Sequence, residues 1–193
     1  MAEFAPAFEY MMDHEDTRRS GRVTEDSGGK TRFGIAQKFH PHLAPEFFTM
    51  DRDQALAFAR TFYQANYWED MQLRDLVDQL VADKLLDMGV NMGVTEAAHL
   101  AQRAASGLLL GSASAPKDDG KWGPKTIAAL NGCAPANLIE TLCNLSKIFY
   151  YEAAEKKPAE KKYLPNWLKR SECRPDKLCD EHVLAAAAAG GAQ

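Results

Sequence analysis

The chain has 193 residues, 46% hydrophobic and 26% charged, with 23 Lys and Arg against 27 Asp and Glu for a net charge of −4. This is ordinary globular composition for one domain or slightly more, and it excludes a collagen-like, low-complexity or wholly disordered chain. The acidic balance gives no global basic field for nucleic acid as a partner, and no apolar run of about 18 residues is present to form a membrane span. The first ten residues, Met1 to Tyr10, have no basic stretch and no apolar core of the secretory type. The expectation is a protein made in the cytoplasm without a signal peptide.

Residues 6–19 read as a helix, with Phe8, Met11 and Met12 apolar and charges following. Glycines and β-forming residues over 20–35 predict turns or a short hairpin. Asp51 is placed to cap a helix through Asn66, with Ala55, Leu56, Ala59 and Phe62 inward. Residues 73–90 carry the clearest helical period. Leu73, Leu76, Val77, Leu80, Val81 and Leu85 fall at three-and-four spacing, and Leu86 and Met88 widen the stripe.

Gly89 and Gly93 loosen the end of that helix, and Thr95 is placed to cap the next, over 95–110. A Gly/Ser/Ala/Pro/Asp loop fills 111–120. Pro124 suits the first position of a short helix ending near Asn131-Gly132. A long helix follows over 135–155, with Leu138, Leu142, Leu145 and Phe149 on one face. The sum is a mainly α, mixed fold: a helical bundle with a small β-hairpin element near the N-terminus.

Metal and nucleotide motifs fail on inspection. Ser27-Gly28-Gly29-Lys30-Thr31 resembles the tail of a phosphate-binding loop, but Thr24 stands where the pattern needs Gly and no apolar strand precedes it. His14-Glu15 is followed by Arg18 where a zinc protease needs a second His. His40-Pro41-His42 reads as a surface turn. Cys133, Cys143, Cys173 and Cys179 contain no CxxC pair, so they read as buried thiols or as one or two disulfides of undetermined pairing. No metal and no organic cofactor is expected.

One constellation can carry chemistry. Glu15 ends an amphipathic helix just before the Gly-rich region, Asp26 follows in that region, and Thr31 comes five residues later. A helix end facing a hairpin can oppose two acids across a cleft. Glycosidic cleavage needs such a pair: one carboxylic acid protonates the leaving oxygen, and a second carboxylate serves water or the sugar cation. A hydroxyl such as that of Thr31 can orient the water. On spacing alone, solvated helix and turn positions explain the same residues.

The words around these residues add weight. His14-Glu15, Gly21-Arg22-Val23 and Asp26-Ser27-Gly28-Gly29-Lys30-Thr31-Arg32-Phe33-Gly34-Ile35 resemble the signature of glycoside hydrolase family 108. Asp87-Met88-Gly89-Val90-Asn91-Met92-Gly93, followed by Ala97, Ala98, Leu100 and Gln102, resembles that family's second stretch. Asp119-Gly120-Lys121-Trp122-Gly123-Pro124-Lys125-Thr126 resembles the core of its peptidoglycan-binding-like C-terminal region, and Trp167-Leu168-Lys169-Arg170 its closing Trp-x-x-Arg. The likeness covers about residues 5–175.

The resemblance implies a lysozyme-like α+β fold and an N-acetylmuramidase that cleaves the β-1,4 bond between N-acetylmuramic acid and N-acetylglucosamine. It makes Glu15 the catalytic acid, with Asp26 and Thr31 in the supporting roles. It implies a lysozyme-like catalytic region over 1–93, a helical peptidoglycan-binding-like region over 94–178 packed on it, and a flexible Ala/Gly-rich tail over 179–193. Tyr67, Trp68 and Asn91 are the substrate-binding candidates, the rings by stacking on sugar and Asn91 by contact with an N-acetyl group. Core packing for Trp68, Trp122 and Trp167 and helix capping for Asn91 are the alternatives.

The partner implied is the peptidoglycan glycan strand. The place of action is the periplasm or cell wall, reached as a lysin through a holin-type pore or as an effector through a secretion apparatus, the latter with a cognate immunity protein. Asp16 stands where the family has Gly, which motivates a second reading: a non-catalytic peptidoglycan-binding module. Residues 156–177 carry eight Lys and Arg against three Asp and Glu. They read as a solvated face or a basic surface for anionic wall polymers.

Overall fold

The first helix, α1 (Phe4–Glu15), lays Ala7, Phe8, Met11 and Met12 into the core at helical spacing. The computed structural model describes residues 1–26 and 29–175; the side chain of Asp26, residues 27–28 and residues 176–193 lie outside what it describes. The expected tail and Cys179 therefore fall outside the described residues.

The Gly-rich region forms an antiparallel sheet in the order β1 (Thr24–Asp26), β2 (Gly29–Arg32), β3 (Ile35–Ala36). Thr31 lies in its middle strand, opposite Thr24 on one side and Ala36 on the other. Arg32 anchors the sheet from within. Its buried guanidinium donates to the carbonyls of Gly21 at 2.8 Å, Phe47 at 2.8 Å and Met50 at 2.9 Å. Those carbonyls would otherwise be poorly satisfied in loops turned toward the core.

Asp51 caps α2 (Arg52–Tyr63) as its sequence position predicts, accepting from the N–H groups of Asp53 and Gln54 at 3.0 Å each. The large ring buried at the end of α2 is Tyr63; Phe62 and Leu56 are only partly buried. The helix then widens into a π turn over Gln64–Trp68.

The helix expected from residue 73 begins later. Gln72 is left-handed at φ 54°, Leu73–Asp75 forms a 3-10 turn, and Leu76 is extended. Asp78 sets the start of α3 (Gln79–Met92) by accepting from the Val81 N–H at 3.0 Å. Val77, expected in the apolar stripe, is 67% exposed. The rest of α3 is central as expected, packing on α1, α4 (Val94–Leu108) and α6 (Pro135–Lys156). Thr95 does not cap α4: it lies inside the first turn, and Gly93 at φ 93° occupies the cap position.

The C-terminal helices follow the sequence closely. α5 (Pro124–Asn131) and α6 each start on the proline that pre-sets the first helical φ. Gln102 of α4 organises the loop before α5. Its Oε1 accepts from the N–H groups of Asp119 and Gly120, and its Nε2 donates to Asp119 Oδ1, the Lys121 carbonyl and Thr126 Oγ1. Asp119-Gly120 is thus a turn, with Gly120 at φ 67°. A 3-10 segment over Pro158–Tyr163 leads into α7 (Leu164–Glu172), which lies along α6. Cys133, Cys143 and Cys173 are buried. Among the described residues no helix is long and apolar enough to cross a membrane.

Candidate active site

Glu15 is the last residue of α1, and two other helices converge on it. Asp87 and Asn91 come from adjacent turns of α3, and Arg170 comes from α7. Arg170 Nη1 donates to Glu15 Oε1 at 2.7 Å and to Asn91 Oδ1 at 3.3 Å. Its Nε and Nη2 approach Asp87 Oδ1 at 2.9 and 2.8 Å. The Asp87 side chain is 2% exposed, Arg170 13% and Glu15 17%, so Glu15 is the member of the set nearest solvent.

The electrostatics follow from that burial. Burial alone would raise the Asp87 carboxyl, but the Arg170 guanidinium, His14 and the Lys84 ammonium together hold it well below the usual carboxylate range. Burial opposes the charge on Arg170, yet Asp87 and Glu15 hold it more firmly protonated than usual. His14, one residue before Glu15, places its Nδ1 3.2 Å from Asp87 Oδ1. The ion set is therefore centred on Asp87, with Glu15 as its outer arm.

Arg170 is held from behind. The buried ammonium of Lys84 donates to the carbonyls of Arg170 at 3.2 Å, Ser171 at 3.2 Å and Cys173 at 2.8 Å. These include orphan acceptors of the last turn of α7, where a cation also complements the helix dipole. Tyr10 of α1 donates from its hydroxyl to the same Cys173 carbonyl at 3.0 Å.

The hairpin supplies the floor. Gly34 sits at φ 77° directly under Glu15, and a Cβ there would collide with Glu15 Oε2 and lie 2.7 Å from the Tyr63 hydroxyl. Tyr63 donates to the Phe33 carbonyl at 2.9 Å, which fixes the turn against α2. Burial pushes both the Tyr63 and Tyr67 phenols up, and the Glu15 charge adds to each. Gly34→Ala forces a β-carbon into this space and into a left-handed backbone. The expected outcome is a stability loss of roughly 1–2 kcal/mol in urea unfolding. A displaced Glu15 should lower catalytic activity further than that loss of stability explains.

The other sequence candidates land as follows. The backbone of Asp26 pairs with Gly29 at the end of the β1–β2 ladder, and its side chain is outside the described part. Thr31 is half-buried in the middle strand, three residues before Gly34. Tyr67 is partly buried against the core, and the Glu15 charge acts on its phenol. Trp68 corrects the expectation: at 2% exposure it is a core residue, its ring edge-on to Phe4 at 5.6 Å, and it offers no face to a sugar. Asn91 is not a helix cap. Its Oδ1 accepts from Arg170 and its Nδ2 donates to the Tyr150 hydroxyl, so its amide links two protein groups.

Asp16, the departure from the family pattern, faces away from Glu15 chemistry. Its carboxylate accepts from the Ser20 N–H at 3.0 Å and the Gly21 N–H at 2.7 Å and so closes the loop after α1. Arg19 pairs with Glu9 and Asp13, and its bond to Asp16 goes to the backbone carbonyl. Among the described residues no group of three or more His, Cys, Asp or Glu side chains is placed to hold a metal ion.

Arg170 and Asp87 join Glu15 in this cluster, and the sequence offers motifs around them but no role. Asp87 heads the second of the motif stretches and Arg170 ends Trp167-x-x-Arg170, yet nothing in their spacing relates them to Glu15, 155 residues from Arg170.

One oxygen of the Glu15 carboxyl is thus held by a guanidinium, the other lies over a glycine, and the side chain keeps 17% exposure, an arrangement that can position a proton donor or acceptor. Residues 8–93 match the family model described as Glycosyl hydrolase 108, and residues 96–172 match one described as Predicted Peptidoglycan domain. The solved structure of SagA from Brucella abortus is similar over 95% of this chain and 94% of that chain, with a TM-score of 0.65 and 21% identity, which supports the same fold. No curated protein sequence is similar enough to match. Residues 8–93 thus match a glycosyl hydrolase 108 model and residues 96–172 a peptidoglycan domain, on a lysozyme-like α+β fold, and the two matches together support a glycoside hydrolase acting on peptidoglycan.

Proposed function

We propose that the chain is an N-acetylmuramidase, cleaving the β-1,4 bond between N-acetylmuramic acid and N-acetylglucosamine with Glu15 as proton donor to the leaving oxygen. Asp26 stabilises the sugar cation or activates water, and Thr31 orients that water. The observation that carries this reading is the position of Glu15, which is seated at a helix end over Gly34 and fixed by an arginine that is itself anchored on Asp87. The catalytic region spans 1–93, and the peptidoglycan-binding-like region, 94–178, contributes Arg170 to the site. The protein acts on the wall from the periplasmic side, as a lysin or an injected effector.

The test is product analysis. Purified sacculi are digested with the protein, the new reducing ends are reduced with borohydride, and the fragments are identified by mass spectrometry. Fragments ending in reduced N-acetylmuramic acid are expected. Ends of reduced N-acetylglucosamine would assign a glucosaminidase instead. Binding to sacculi without any new reducing end would assign a non-catalytic module.

A further inference from the structure

On the α7 side of Glu15, two rings stand outside the hydrophobic core cluster. Trp167 is half-buried, and Tyr163 is 46% exposed. Trp167 stacks on Tyr150 with centroids 5.4 Å apart and planes 23° from parallel, and Tyr163 flanks Trp167 at 5.9 Å. Tyr150 is buried, and its hydroxyl accepts from Asn91, which accepts in turn from the arginine that holds Glu15. Trp167 and Arg170 are three residues apart on one helix and so share a face. A continuous series of contacts therefore runs from solvent at Tyr163, through Trp167, Tyr150 and Asn91, to the acid.

Tyr163 is not needed to fill the interior and Trp167 is only half-buried, so a large apolar surface is left wet here. Pyranose rings present an apolar face of C–H groups that stacks on an aromatic plane, while hydroxyls at their rim take hydrogen bonds. Tyr163 offers both a plane and a hydroxyl, and Lys162 Nζ lies 4.9 Å from its ring centre as a nearby donor. Among the other large exposed apolar side chains of the C-terminal half, Leu110 and Ile148 are aliphatic, and Tyr151, 53% exposed, is a ring that does not stack on Trp167.

We propose that Tyr163 and Trp167 form a sugar-stacking subsite that holds the peptidoglycan glycan strand on the α7 side of the cleft, beyond the bond that Glu15 attacks. This rests on the reading of the glycan strand as substrate. The subsite makes the peptidoglycan domain part of the cleft, since α7 supplies both the rings and Arg170.

The experiment measures binding by the full chain carrying Glu15→Gln, in co-sedimentation with intact sacculi and in titration with glycan strands stripped of stem peptides by an amidase. Adding Tyr163→Ala should weaken binding to both about two- to tenfold, the range of an aromatic stacking contact. Tyr163→Phe should keep the affinity, because the plane remains. Trp167→Ala should act in the same direction, but its ring also covers Tyr150, so the exposed Tyr163 pair decides. Unchanged binding by Tyr163→Ala overturns the proposal, as does an equal loss in Tyr163→Phe, which would assign a hydrogen bond in place of stacking. A loss confined to intact sacculi also overturns it, by assigning the rings to the stem peptides. If the parent chain releases no reducing ends while binding to stripped glycan depends on Tyr163, the muramidase reading fails and the subsite stands.

Discussion

Glu15→Gln lowers peptidoglycan hydrolysis by about 10²- to 10⁴-fold, the contribution expected of a positioned acid or base, while the protein stays folded. The amide is the same size as the carboxyl, and its oxygen can still accept from Arg170 Nη1 at the position Glu15 Oε1 occupies, 2.7 Å away. Arg170 also keeps Asp87, its more deeply buried partner, so no uncompensated charge is left inside. What disappears is an ionisable proton over Gly34. Reducing-end release measures the loss, and thermal unfolding measures the fold, with a shift of a few degrees expected. Full activity in the variant would remove Glu15 from the mechanism. A loss of activity accompanied by unfolding would leave the role to be read from Glu15→Asp, which keeps the acid and shortens its reach.

Legibility of the fold varied with how local its cause is. α5 and α6 begin on Pro124 and Pro135, and a single proline fixes a helix start without help from the rest of the chain. The cap at Asp51 is equally local. The start of α3 is not. Leu73, Leu76 and Val77 continue the apolar period backwards from Leu80, so periodicity predicts one helix. The left-handed Gln72 and the extended Leu76 break it, and Asp78 then competes for the first N–H groups. Trp68 shows a different failure. The π turn over Gln64–Trp68 adds a residue to the turn and carries the indole into the core against Phe4, which no count at 3.6 residues anticipates.

The candidate site was legible in Glu15 and not in the residues packed around it. Glu15 stands out because a helix end and a Gly-rich turn flank it in sequence. Asp87, Asn91 and Arg170 reach it only through the packing of α1 on α3 and of α7 on α6. Sequence spacing contains no information on those contacts. Gly34 is intermediate: its glycine is visible in the motif, but the reason for it, a carboxyl oxygen lying where a β-carbon would go, is visible only in three dimensions.

Removing Asp87 should cost the most stability. Asp87→Ala leaves Arg170 buried with Glu15 and Asn91 but without the carboxylate that meets both its Nε and Nη2, and leaves Lys84 and His14 without the nearby negative charge. Breaking a buried pair from one side costs about 3–5 kcal/mol. For a chain of this size each kcal/mol lowers the Tm by about 2–4 °C, so a drop of at least about 6 °C is expected in a calorimeter. Activity should fall as well, because Arg170 loses the anchor that aims it at Glu15. The pH dependence has a definite sign. Asp87 is held below its ordinary value of 3.8, so its contribution is present in full above that value and is lost only as pH falls through its lower folded value. Parent and variant should therefore converge in strong acid. The double variant Asp87→Leu with Arg170→Met separates the two roles: an apolar pair should recover much of the stability lost by the single change, since removing both charges leaves none uncompensated. It should not recover hydrolysis, because Glu15 then has no guanidinium to hold it. Recovery of activity in the double variant would show that Arg170 serves the fold alone.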